Sequence, residues 1–216
     1  MARRARSTHV RSFSTREKLS LSVSALYALG RRNRALRELR RSAPTLSVQD
    51  KILLRELFIH LSLLLGFPSM LDGLEHLSIL GILPESVKTP SKAVRGLSNR
   101  GRRVLTQIYG AQTRKLMLGL RSLNEDLPTM ITEQVYGAVF TRRGMSLAER
   151  ELVNITVLVI QGFERQLHSH LRGALRVGIS GRSLQRALQL LNSRFHVDVR
   201  RARELLAELR RSSADN

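Results

Sequence analysis

The sequence predicts an all-α protein, and three observations carry that expectation. Aromatic residues make up only 4% of the chain, Trp is absent, and Leu, Ala, Arg and Glu dominate, a composition that suits helices better than β-branched and aromatic strands. Apolar residues recur at three- and four-residue spacing in several segments. Helix start and stop signals bracket those segments: a Ser with Glu three positions on, and a Gly at the far end.

Taken in order, the first helix is expected over residues 18–29, where Leu19, Val23, Leu26 and Tyr27 form a stripe behind Ser14-Thr15-Arg16-Glu17 and Gly30 ends it. A short helix over 33–41 and a break at Ala43-Pro44 follow. A longer helix over 48–65 places Ile52, Leu53, Leu57, Leu61, Leu64 and Leu65 on one side. Gly66-Phe67-Pro68-Ser69 breaks it and starts another over 69–80. Between residues 81 and 103 Pro84, Pro90, Gly96 and Gly101 accumulate among basic residues, which reads as a connection. An amphipathic stretch over 104–123 comes next, and Pro128 opens a helix reaching Phe140. Ser146-Leu-Ala-Glu149 then caps an apolar helix over 147–161 that stops at Gly162. Helices over 164–177, 182–192 and 197–210 complete the chain, with Gly178-Ile-Ser180 as a stop followed by a new cap.

The expected organisation is a basic N-terminal arm (1–13), a first helical unit (14–83), a basic linker (84–103) and a second unit (104–216). Laying Gly30 on Gly162 shows the same pattern twice: a capped apolar helix, a Gly, an Arg-rich short helix, and a Ser (Ser47 or Ser180) opening a third. Residue identity between the copies is low, so either a diverged tandem repeat or two unrelated hairpins would give it.

Composition excludes several chemistries. Without Cys there can be no disulfide, Cys-ligated zinc, iron–sulfur cluster or thiol relay. The apolar run near residues 57–67 is broken by His60 and Ser62 and falls short of the ~20 residues a spanning helix needs, so no membrane partner and a cytoplasmic location are expected. The first twelve residues are Arg-rich, contain Ser and lack acid, which keeps organellar import as the minor alternative. The formal charge of +20 would attract polyanions. Only five of the 37 basic residues are Lys, however, and the Arg are spread through every helix rather than clustered in a stripe, so nucleic-acid binding is a subordinate reading.

The residues able to do chemistry concentrate in the second unit: Glu149, Glu151, Glu164, Gln166, His168 and His170. On a helix Gln166 and His170 share a face, whereas His168 and His170 point roughly 160° apart and cannot chelate one metal, so no metal is expected. Glu151 enters an apolar helix among Leu152, Val153, Ile155 and Val157. A carboxylate there must be paired or protonated, and a neighbouring imidazole would make an acid–base pair. The bland alternative pairs Glu151 with a surface Arg and leaves His170 as a satisfied core residue.

Tyr136-Gly137-Ala-Val-Phe-Thr-Arg-Arg-Gly144-Met-Ser146-Leu-Ala-Glu-Arg150-Glu151, followed by Gly162 and His170-Leu-Arg-Gly-Ala174-Leu-Arg-Val-Gly178-Ile-Ser180, resembles the carboxymuconolactone decarboxylase family, which includes the AhpD-type alkylhydroperoxidases. The resemblance covers roughly residues 128–191, and Leu65-Gly66-Phe67-Pro68 in the first half looks like a displaced copy of another family segment. It implies an AhpD-like helical bundle. In the peroxidase branch Glu151 and His170 would match the glutamate and histidine, but the two cysteine positions hold Phe163 and Gln166, so that relay is absent. The decarboxylase branch implies metal- and cofactor-free loss of a carboxylate from a small anionic lactone or related acid. There His170 is expected to transfer the proton, Glu151 to orient or share it, and Gln166, Arg150, Arg142 and Arg143 to contact substrate. The first unit, with Leu19, Leu36 and Glu38 at the equivalent positions, is expected to be catalytically empty. The family's habits further imply a homo-oligomer, a trimer or else a hexamer. A catalytically inactive binding or scaffold member is the competing reading.

Overall fold

In the computed structural model, which describes residues 13–84 and 96–212, every regular element is helical. Ser14 opens α1 (Thr15–Ala28) through a reciprocal capping box with Glu17, and Gly30 at φ 69° lets the chain turn into α2 (Arg32–Ser42). Ser47 and Asp50 repeat the capping box at the start of α3 (Val48–Ile79). The two helices expected on either side of Gly66 are both present within this span, divided by a kink where Gly66 leaves helical geometry at φ 79° and ψ 167° and Pro68 follows it.

By length and mean hydropathy α3 could cross a membrane. One face is committed to the protein, with Leu53, Leu54, Leu57, Phe58, Leu61 and Leu77 fully buried in the core beside Glu56 and His60, whereas Phe67, Leu71 and Ile79 are exposed.

The expected basic linker lies mostly outside the described residues, and its last part is not a linker. Helix α4 (Leu97–Tyr109) already begins at Leu97. What makes it helical is packing: a Cβ at Gly101 would strike the Thr132 carbonyl, and one at Gly137 would strike that of Leu97. The glycine read as a loop signal is a close-approach residue. The amphipathic stretch after it is broken at Gly110 and resumes as α5 (Thr113–Arg121). Helix α6 (Leu127–Met130) continues into a π-helical turn over Ile131–Val139, whose wider backbone no sequence pattern announced.

The remaining helices are α7 (Leu147–Gln161), α8 (Glu164–Arg176), α9 (Gly181–Phe195) and α10 (Arg200–Ser212). Ser146 caps α7 with Glu149, Gly162 ends it in the left-handed region, and Ser180 caps α9.

One apolar core runs through residues of α1, α2, α3, α7, α8, α9 and α10, and a smaller cluster of Val104, Leu105, Ile108, Tyr136 and Phe140 joins α4 to the end of the π-helical turn. Helix α1 packs against α7, and α4 against both the π-helical turn and α8. The second half therefore buries its apolar faces partly against the first. Between these faces α7 carries four fully buried polar residues, Arg150, Glu151, Asn154 and Thr156. Such groups must find partners inside.

Candidate acid–base site

The buried polar residues of α7 form a hydrogen-bonded chain whose donors converge on the Glu151 carboxylate. Arg150 is fully buried; its guanidinium donates to the Arg142 carbonyl at 3.0 Å and lies 3.3 Å from His60 Nδ1. His60 of α3 is equally buried, and its Nε2 lies 2.8 Å from Asn154 Oδ1. Since a guanidinium can only donate and an amide oxygen only accept, His60 must accept at Nδ1 and donate from Nε2–H. The other end of Asn154, Nδ2–H, donates to Glu151 Oε1 at 3.4 Å. His170 of α8 closes the chain, with Nδ1 2.8 Å from Glu151 Oε2.

The amide nitrogen of Asn154 also lies 3.2 Å from His170 Nδ1, but two donors cannot bond one another. With its proton directed at Glu151, His170 is the Nδ1–H tautomer. Its Nε2 is then the nitrogen left for a ligand, accepting no hydrogen bond among the described residues, while the side chain keeps 15% exposure. Glu151 has none. A carboxylate held by two donors, steering a partly exposed imidazole whose second nitrogen is free of hydrogen bonds among the described residues, is the arrangement of a general acid–base pair.

Burial sets the protonation of His60 and weakens that of Arg150. His60 is driven down to about 3 chiefly by burial and then by the Arg150 charge, so it stays a neutral relay of hydrogen bonds. Burial also lowers Arg150, against the pull of Glu56, to about 10, which leaves it protonated at neutral pH. Its Nε has no hydrogen-bond partner among the described residues, and its guanidinium stands 5.9 Å from the centre of the Phe140 ring. Beside the dyad, Tyr109 and Tyr136 share a 2.7 Å hydroxyl–hydroxyl bond, and the Tyr109 ring meets His170 edge to face at 6.5 Å. Both phenols are pushed up by burial, and the nearby Glu151 charge adds to it, so they remain neutral donors. Gly173, one turn beyond His170, lets α8 close on the pair: a Cβ there would lie 2.7 Å from Ile108 Cγ2 and 3.3 Å from Glu151 Oε2.

Of the residues singled out in the sequence, Glu151 and His170 meet. Arg150 does not sit where a surface substrate could touch it; it anchors the far end of the chain. Arg142 is engaged with buried Glu56 through Nε at 2.7 Å and Nη2 at 3.0 Å. Arg143, Gln166 and Phe163 are exposed. His168 lies on the other side of α8, where burial and Arg172 lower it. No group of three or more potential metal ligands occurs among the described residues. His60, Asn154, Tyr109 and Tyr136 were not anticipated.

Residues 126–207 match the sequence profile of the carboxymuconolactone decarboxylase family. This part of the chain belongs to that family. Within the family's matched segment lie Tyr136, Arg150, Glu151, Asn154 and His170, whereas Glu56, His60 and Tyr109 lie before it. The 4-carboxymuconolactone decarboxylase of Acinetobacter baylyi is 30% identical over 82 residues, 38% of this chain and 61% of that protein. Peroxisomal protein 2 of Schizosaccharomyces pombe is 30% identical over 128 residues, 58% of this chain and 60% of that protein. The chain thus aligns with about three fifths of the length of these curated relatives.

Proposed function

We propose that the protein is a decarboxylase-like lyase that uses Glu151 and His170, without metal or organic cofactor, on a small anionic lactone or related acid. The observation that carries this reading is the 2.8 Å contact between Glu151 Oε2 and His170 Nδ1, with Nε2 left to face a ligand. In the proposed step the bond to the substrate carboxylate breaks and its electron pair passes into the conjugated carbon framework. Carbon dioxide leaves, and His170, whose Nε2 has first taken a proton from solvent, passes that proton to carbon and returns to the Nδ1–H tautomer. While both ring nitrogens carry protons, Glu151 stabilises the imidazolium. Tyr109 is placed to donate to a ligand oxygen near the ring. Arg143, before α7, and Gln166, one turn before His170 on α8, are both exposed and are the proposed substrate contacts.

The resemblance of the first half to the second supports a diverged duplication: α1, α2 and α3 repeat the order, caps and glycine stop of α7, α8 and α9. Under that reading the protein assembles as a trimer of two-unit chains. The fission-yeast relative, peroxisomal by name, supports placing this protein in an organelle rather than in the cytoplasm.

The test is turnover of a panel of carboxylated lactones and β-keto acids, followed by carbon dioxide release. Wild type should release it, and His170→Ala should reduce the rate at least ~100-fold while circular dichroism stays helical. Equal inactivity of both proteins across the panel would favour the second reading, a non-catalytic family member. That reading has one specific observation behind it: Arg142 and Arg150, two of the four expected substrate contacts, are already engaged inside the protein.

A further inference from the structure

The first half contains a second constellation, unrelated to the family site. A cavity of about 570 Å³ opens where α1 turns into α2, lined by Gly30, Arg31, Arg32, Asn33, Arg34 and Arg37, with Asp72 and His76 of α3 as its floor. Four arginines face one carboxylate. Arg31, Arg34 and Arg37 follow one another at three-residue steps along α2, so their guanidinium groups form a ridge along the cavity. Arg32 approaches Asp72 at 3.9 Å and Arg34 approaches Glu38 at 3.8 Å, but Glu38 is already taken by Arg194 at 2.9 Å. Arg31 and Arg37 have no acidic partner among the described residues.

The floor is pre-ordered. Tyr27 Oη sits 2.8 Å from Asp72 Oδ2 and 2.8 Å from His76 Nδ1. Burial, reinforced by Asp72, pushes the phenol up, so it keeps its proton and donates to Asp72. His76 then donates Nδ1–H to the phenolic oxygen and retains Nε2 for a ligand. At the rim, no side chain caps the N-terminus of α2, in contrast to the Ser caps of α1, α3, α7 and α9. Unpaired guanidinium groups in a concavity of this size, above a half-buried imidazole, form a site for planar anionic groups.

We propose that this cavity binds a small organic polyanion, one bearing at least two phosphate or carboxylate groups, which Arg31 and Arg37 hold by charge-assisted hydrogen bonds above the Tyr27–Asp72–His76 floor. The site lies outside the dyad and outside residues 126–207, so it stands or falls independently of the decarboxylase reading.

Isothermal titration of the full chain with inorganic pyrophosphate and, separately, with citrate, at about 0.15 M salt, tests it and tells the two ligand chemistries apart. One-site binding of either probe is expected, unchanged in His170→Ala. Arg31→Ala/Arg37→Ala should weaken it by roughly thirtyfold or more, whereas the exposed pair Arg102→Ala/Arg103→Ala, which removes the same charge elsewhere, should change it by less than about threefold. Arg31→Lys/Arg37→Lys, which keeps the charge and loses the planar fork, should also bind more weakly than wild type. The proposal fails if neither probe binds at millimolar concentration, or if the two alanine pairs weaken binding equally, which would mean only the general attraction of a +20 protein.

Discussion

His60 gives the buried chain a pH signature that can be worked out in advance. Its folded value of about 3 lies below the 6.5 of an unfolded histidine, so between those limits the unfolded chain binds the extra proton. Stability is therefore complete above the unfolded value and is lost as pH falls through the window from about 6.5 toward 3. At about 1.4 kcal/mol per unit, the 1.5 units from 6.5 down to about pH 5 correspond to roughly 2 kcal/mol, a large share of a typical domain's stability. Urea unfolding of wild type and His60→Gln at about pH 7 and about pH 5 measures it. Glutamine cannot titrate but can still donate to Asn154 Oδ1. Burial works against ionisation of Glu149, but the Arg16 and Ser146 hydrogen bonds outweigh it and hold this group below its ordinary 4.5. Its contribution is therefore present above 4.5 and lost only lower, outside the comparison. The wild type should lose about 2 kcal/mol more than the variant between the two conditions. Parallel losses would refute the placement of His60 as a neutral, dry link.

Two further substitutions probe the same region. Gly173→Ala should push α8 away from α7, because the new methyl meets Ile108 and the Glu151 carboxylate; a loss of about 1–3 kcal/mol in urea unfolding and reduced turnover are expected. Asn154→Leu should cost about 2–4 kcal/mol, since it strands both the His60 Nε2–H and one Glu151 oxygen in the core, and thermal unfolding reads it directly.

Helices with a cap and an apolar stripe were legible in the sequence, and α7 most of all, because Ser146-Glu149 and Gly162 mark both ends. Helix α4 was not. Its Arg-rich composition and two glycines imitate a linker, and only contact with the π-helical turn, distant in sequence, shows why Gly101 has no side chain. The Glu151–His170 pair could be suggested from the buried register of the one and the helical position of the other. The rest of the chain could not, since His60 and Asn154 are 94 positions apart. Yet each left a trace. His60 falls on the apolar face of α3 with Leu53, Leu57, Leu61 and Leu64, and Asn154 sits three residues beyond Glu151 inside an apolar run. Polar residues on a face that must be buried are the ones whose partners should be sought. The cavity over Asp72 and His76 was illegible for another reason: the first half was read only at positions equivalent to the second, and this site uses other ones.

The Nδ1–H tautomer of His170 underlies everything proposed for the dyad, and long-range proton–nitrogen NMR of histidine-labelled protein measures it most directly. At a pH where the ring is neutral, the expected spectrum has a protonated Nδ1 and an unprotonated Nε2, a preference that Glu151→Gln should erase. A protonated Nε2 in the wild type, or a tautomer mixture indifferent to Glu151, would contradict the assignment of Nε2 as the nitrogen that moves the proton.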